Sequence, residues 1–154
     1  MGDYKTAIEY SLKAYKIQEI LHKDSDHPDL AQSLNYIGIS YSNLGDQKQA
    51  FEYNFKAYEM RKRIYLDADH PDVAQSLNNI GSDYFHLRDY TISLQFYSLA
   101  FEMRKRIYKD SDHNDLFQSL NYIGAYYSSL GDHKKSLEYL LKAYEMRKRM
   151  YKDS

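Results

Sequence analysis

Asp69-His70-Pro71-Asp72-Val73-Ala74-Gln75-Ser76-Leu77-Asn78-Asn79-Ile80-Gly81 decides the fold, because the chain writes this stretch three times. The first copy is Asp26-His27-Pro28-Asp29, then Gln32-Ser33-Leu34-Asn35, then Gly38. The third is Asp112-His113-Asn114-Asp115, then Gln118-Ser119-Leu120-Asn121, then Gly124. The step is 43 residues each time, with nothing inserted or lost, and Ala14, Ala57, Ala100 and Ala143 keep it too. A fixed period of roughly 20–50 residues marks a solenoid, whose units bury their apolar faces only against their neighbours. Such a chain is a stacked surface, suited to holding a partner rather than converting a substrate.

Each unit reads as two helices. The first spans about 28–44, 71–87 and 114–130. Pro28 and Pro71 suit an opening turn, where no amide donor is needed, and Asp29 and Asp72 complement the positive end of the helix dipole. Asp26 or His27 is the expected cap. Asn114 replaces proline in the third copy, which predicts a less rigid entry. Leu44-Gly45-Asp46 and Leu130-Gly131-Asp132 are stop signals: glycine accepts a left-handed conformation and aspartate caps the next helix. Arg88 stands where the middle copy would have glycine. Either that turn changes shape or Arg88 is strained by about 1 kcal/mol. The second helix spans about 46–65, 89–108 and 132–151, and an extra copy at 3–22 opens the chain. It ends in Arg61-Lys62-Arg63, Arg104-Lys105-Arg106 and Arg147-Lys148-Arg149, cations suited to the negative end of the dipole. Glu59 with Arg63, Glu102 with Arg106 and Glu145 with Arg149 are expected i,i+4 pairs.

Helical spacing places Ala31, Leu34, Ile37, Gly38, Tyr41 and Leu44 on one stripe of the first helix. It places Ala50, Tyr53, Ala57, Met60 and Ile64 on one stripe of the second, widened by Phe51, Phe55 and Tyr58. A two-residue turn makes the pair antiparallel. Glycine inside a helix costs about 1 kcal/mol against alanine. Gly38, Gly81 and Gly124 therefore predict close approach of the partner helix, with Ala57, Ala100 and Ala143 as the opposing small surface.

The composition agrees. A chain of 154 residues falls within one domain, and 21 basic against 22 acidic side chains argue against nucleic acid as a partner. There is no cysteine, so disulfides and thiolate metal sites are excluded and a cytoplasmic home is expected. No membrane-length apolar run and no signal peptide is seen.

The pattern Leu34, Ile37, Gly38, Tyr41, Leu44, Gly45, Asp46, Ala50, Tyr53, Ala57 resembles the tetratricopeptide repeat. It recurs as Leu77, Ile80, Gly81, Tyr84, Asp89, Ser93, Phe96, Ala100 and as Leu120, Ile123, Gly124, Tyr127, Gly131, Asp132, Ser136, Tyr139, Ala143. The long unit, with Asp-His-Pro-Asp-Val-Ala-Gln-Ser-Leu-Asn-Asn at 69–79, is similar to the repeats of kinesin light chains. No heptad coiled coil accompanies it, so a motor role is not supported. The resemblance implies an all-α, right-handed superhelical solenoid of seven helices, a single domain over 1–154. Its units are about 24–66, 67–109 and 110–152, after the second helix of a truncated unit at 3–22. The chain opens and closes on a second helix and reads as a piece of a longer array.

The resemblance also places the far side of each first helix along a concave groove. Gln32, Asn35, Ile39 and Ser42 lie there in the first copy. Gln75, Asn78, Ser82 and Phe85 follow in the second, and Gln118, Asn121, Ala125 and Ser128 in the third. The chain is 28% charged, yet these rows carry no charge. An amide offers donor and acceptor together and can hydrogen-bond the backbone of an extended peptide. Tyr36, Asn79, Phe85, His86 and Tyr122 border the rows and could grip apolar side chains. Alternatively the amides join adjacent first helices to one another, and the two readings are compatible. The groove helices have no Lys or Arg before Arg88, so a clamp for acidic C-terminal tails is not expected.

The function expected is thus a non-catalytic scaffold or adaptor that binds a peptide or protein segment, without cofactor. One alternative is a polyanion bound along the Arg-Lys-Arg edge, though Asp67, Asp69 and their equivalents offset that charge. Another is a structural, self-associating repeat, because Tyr139, Leu140, Ala143, Tyr144, Met146, Met150 and Tyr151 outline an apolar face on the last helix. Asp24-x-Asp26-His27 and Asp67-x-Asp69-His70 lack the glycine and distal glutamate of a calcium loop and read as capping groups. No nucleophile stands beside a base, and no carboxylate pair converges.

Overall fold

The computed structural model describes residues 2–151 apart from Asp24 and Asp110. The unit edges at 24, 110 and 152, and Asp24 of the capping group, lie outside the described residues. The described residues form seven α-helices and no strand. They are α1 (Gly2–Leu21), α2 (Pro28–Leu44), α3 (Gln47–Ile64), α4 (Pro71–His86), α5 (Tyr90–Tyr108), α6 (Asn114–Ser129) and α7 (His133–Met150). Every predicted helix is present. α2, α4 and α6 are the first helices of their units and α3, α5 and α7 the second. Each packs on its unit partner, and successive units pack on one another, so α3 touches both α2 and α4, and α5 both α4 and α6.

Histidine, not Asp26, is the cap. His27, His70 and His113 hold extended backbone, and their Nδ1 atoms accept from the amides of Asp29, Asp72 and Asp115 at 3.2 Å. α6 starts on the same cap without its proline. Asp46, Asp89 and Asp132 cap the second helices, accepting from the amides of Gln49, Ile92 and Lys135.

The three turns share one shape. Gly45 has φ 90°, Gly131 φ 77° and Arg88 φ 64°. The Asp46 amide donates to the Tyr41 carbonyl at 3.0 Å, and the Asp89 amide to the Tyr84 carbonyl at 2.9 Å. The turn is thus kept in the middle unit, and Arg88 carries the left-handed strain.

The glycines mark close approach, but Ala57, Ala100 and Ala143 are not what they face. A Cβ on Gly81 would lie 2.9 Å from Tyr97 Cδ1, and one on Gly124 2.9 Å from Leu140 Cδ2. One on Gly38 would collide with the Asn54 amide. Behind these side chains lie the carbonyls of Ala50, Ser93 and Ser136. Ala57, Ala100 and Ala143 are buried elsewhere along the same contact. The stripe of the second helix is also rotated from the expected one. In α3 the buried residues are Ala50, Asn54, Ala57 and Arg61, whereas Tyr53, Met60 and Ile64 are half-buried and Phe55 is exposed. The helix is covered on two sides, by its partner and by the next unit, so its deepest line runs between the two apolar edges.

Candidate functional site

The amide rows divide into a buried layer and an exposed rim. Asn35 and Asn78, expected on the open face, are only 3% and 2% exposed. Gln32 and Gln75 are half-buried. The reason is a buried arginine near the end of α3 and of α5. Arg61 Nη2 donates to Gln32 Oε1 at 2.8 Å, and its Nη1 donates to Ser76 Oγ at 2.8 Å and the Asp72 carbonyl at 3.0 Å. Arg104 repeats this with Gln75 Oε1, Ser119 Oγ and the Asp115 carbonyl. The Asn78 amide oxygen, in the orientation that satisfies both groups, faces the same Arg104 guanidinium. Burial pushes both arginines below their ordinary range, yet a guanidinium keeps its charge in proteins. Each arginine therefore joins the first helices of two successive units. Asn79 Nδ2 donates to Asn35 Oδ1 and adds a direct link between α4 and α2.

Above this layer lies the rim. Tyr36 is 57% exposed and Tyr122 40%. Tyr122 stacks on Tyr97, with ring centroids 5.6 Å apart. Asn79 and Asn121 are half-buried and Gln118 is exposed. Phe85 does not border the rim. It packs edge-on against Tyr90 and Tyr126, at 5.4 and 6.3 Å, as part of the core between the second and third units. His86 remains at the trough.

Beside Asn79 and Tyr122 of the rim lies a cavity of about 280 Å³, lined also by Ile39, Asn43, Ser82 and His86 among others. Its lining also includes Asp83 and Asn54, which the reading of the rows missed. Asp83 is 1% exposed and Asn54 2%. Asn54 Nδ2 donates to Asp83 Oδ2 at 2.8 Å. Burial pushes the Asp83 carboxyl up to about 7, with the Asn54 donor opposing that rise. The trough is therefore not free of ionisable groups. A signal was available in the sequence: the equivalents of Asp83 are Ser40 and Tyr126, and those of Asn54 are Ser11, Tyr97 and Leu140. A larger cavity of about 680 Å³ lies along α5, lined by Leu94, Leu99 and Tyr126 among others, and includes none of the row amides.

The basic clusters are mostly engaged. Arg63, Arg106 and Arg149 do not turn to their i,i+4 glutamates. Each forks onto Asp26, Asp69 or Asp112 at the head of its own unit, with Nε–Oδ2 distances of 2.6, 2.6 and 2.7 Å. Those hydrogen bonds hold the three carboxyls below the usual carboxylate range. Arg147 is exposed and lies over the Phe117 and Tyr151 rings. His22, His27 and Asp29 gather three groups of metal-ligand type. The His22–His27 ring stack repeats at Tyr65–His70 and Tyr108–His113, however, so stacking and capping account for the group.

The model of the tetratricopeptide repeat family matches residues 1–63 and 65–149, and the chain belongs to that family. Its members are generally non-catalytic scaffolds for protein interaction. No curated protein sequence matches. Among solved structures the chain is similar to BtubC (BKLC) from P. vanneervenii, with 24% identity and a TM-score of 0.81. That likeness covers 97% of this chain and 58% of the other, so the chain spans little more than half the length of that relative. It is also similar to a putative kinesin light chain of Podosopora anserina with nearly identical repeats, in two crystal structures. Identity is 16% in both, with TM-scores of 0.77 and 0.74 and 70% of that chain covered. These likenesses show the fold. Among the described residues no helix is long and apolar enough to cross a membrane.

Proposed function

We propose that the chain is a non-catalytic adaptor that binds an extended peptide segment of a partner protein along the trough over α2, α4 and α6. The observation that carries this reading is the exposed Tyr122 ring and the half-buried Asn79 beside a cavity with a polar floor, with the exposed Tyr36 ring farther along α2. The aromatic rings offer apolar contact at little conformational cost, and the amides offer donor and acceptor to a peptide backbone. Gln32, Asn35, Gln75 and Asn78 serve as the frame that fixes this rim, and Gln118 and Asn121 continue it along α6. Tails ending in an acidic cluster are not favoured, because no Lys or Arg lines the cavity.

Selection from a displayed library of random peptides tests the reading. Enriched peptides should bind the purified chain at micromolar strength, and Tyr36→Ser with Tyr122→Ser should weaken them about tenfold or more without lowering the melting midpoint. No enrichment, or affinity indifferent to both substitutions, overturns it. The polyanion alternative loses its main cations to the arginine contacts described above. It predicts affinity that falls steeply with salt, whereas trough binding does not.

Self-association has one observation in its favour. Gln118 and Arg147 are both exposed, although their counterparts Gln75 and Arg104 clasp the first helix of the next unit. A second copy offering a similar helix would complete that clasp beside the exposed Leu137, Leu141 and Tyr144 of α7.

A further inference from the structure

Two departures from the repeat meet in space. Positions equivalent to Asp83 hold Ser40 and Tyr126, so the fold does not require a carboxylate there. Positions equivalent to Asn54 hold Ser11, Tyr97 and Leu140, so it does not require an amide there either. Yet in this one trough the two polar groups face each other at 2.8 Å, both almost wholly buried. Asn54 gives the carboxylate a single hydrogen bond. Among the described residues no cation pairs with it, and one donor leaves most of its acceptor capacity unused. Asn54 Oδ1 is itself buried without a partner. A buried carboxylate lacking a counter-charge disfavours its ionised form. The cavity beside it has room for the head of one side chain.

Building on the peptide-binding reading above, we propose that the trough selects a peptide with a basic side chain, lysine or arginine, whose cationic head enters this cavity and pairs with Asp83. The Tyr122 ring would lie along the aliphatic stem, which matches the amphipathic character of both basic side chains. Tyr122 borders the cavity and is placed for that contact, and Ser82 and Asn79 supply acceptors for the remaining donors. Burial raises the Asp83 carboxyl to about 7, so pairing draws out its proton and affinity should rise between pH 6 and 8. The other titratable groups around the carboxylate are His86 on α4, Tyr97 on α5 and Tyr122 on α6. The residues of α2 and α3 that line the cavity are Ile39, Ser42, Asn43 and Asn54, none of which titrates.

The test uses the whole chain and three pools of fluorescent seven-residue peptides, uncharged and random except for a central Arg, Gln or Glu. The Arg pool should bind about tenfold more tightly than the Gln pool and the Glu pool least, as expected for a close charge pair. Asp83→Asn keeps an acceptor for Asn54 and should erase the Arg-over-Gln ratio and its rise with pH. Glu138→Gln, on the exposed side of α7, should leave the ratio intact. A melt of Asp83→Asn at or above the parent midpoint shows that the fold survives. Pools that bind with no Arg preference, or a preference that persists in Asp83→Asn, overturn this inference and leave peptide binding standing. Failure of all three pools overturns both.

Discussion

At the scale of single residues, the chain holds three positions whose cost can be measured. Gly81 has no room for a side chain, since even a Cβ would press on the Tyr97 ring at 2.9 Å. Gly81→Leu should lower stability by about 1–3 kcal/mol in denaturant unfolding, and a midpoint equal to the parent's would refute the close-approach account. Arg88 shows the opposite case. It holds φ 64° in a turn where its counterparts are glycine, so Arg88→Gly should raise stability by about 1 kcal/mol. A lower melting midpoint would mean that Arg88 makes contacts outweighing its strain. Asp83 carries a pH dependence of its own. Its folded value of about 7 stands above the ordinary 3.8. The folded state therefore binds this proton more tightly than the unfolded state. Stability falls as pH rises from about 4 through 7, and the penalty is fully present above 7. Asp83→Asn removes it and should stabilise the chain at pH 8 by on the order of 2–4 kcal/mol, with little effect at pH 4. Parallel pH profiles of parent and variant would rule this out.

At the scale of elements, the second helices show what sequence pattern conveys and what it hides. Helix bounds, caps and the antiparallel pairing were legible because proline, glycine, aspartate and apolar spacing act locally. The fate of Arg61 was not. It sits inside Arg61-Lys62-Arg63, which reads as a solvated cluster, yet it falls on the line of Ala50, Asn54 and Ala57 and is 2% exposed. Following that line past the apolar residues would have found it. Asn35 and Asn78 misled for a related reason. Their helices are covered on two flanks, and a polar side chain does not reveal whether it faces solvent or a buried guanidinium. The same arginine position makes a comparison possible within one chain. Arg104→Ala should cost on the order of 3 kcal/mol, because it strands Gln75, Asn78 and Ser119. Arg147→Ala should cost only about 0.5–1 kcal/mol, the worth of an exposed cation over rings. Equal losses at the two positions would show that the buried contacts add nothing.

At the scale of the whole molecule, stability is a sum over neighbours, since each helix touches little beyond its own unit and the next. Among the described residues α1 buries one side chain, Ile8 at 7%, whereas α4 buries eight residues. Local opening should therefore begin at α1, and α4 should be among the last elements to open. Amide hydrogen exchange followed by mass spectrometry should find the lowest helical protection in α1 and far slower exchange in α4. Uniform protection across all seven helices would mean that the array opens as one cooperative body.

The arginine clasp has a consequence for how such a chain can change its length. Arg61 grips Ser76 and the Asp72 carbonyl, and Arg104 grips Ser119 and the Asp115 carbonyl, so consecutive joints use the same parts. Excision of residues 67–109 would bring Arg61 against Ser119 with every partner supplied. Duplicating that segment would insert another matching joint. Evolution or an engineer can therefore shorten or extend the molecule by whole modules while keeping this joint, whereas the Asp83–Asn54 pair would be lost on excision and not doubled on duplication, because Asn54 lies outside that segment.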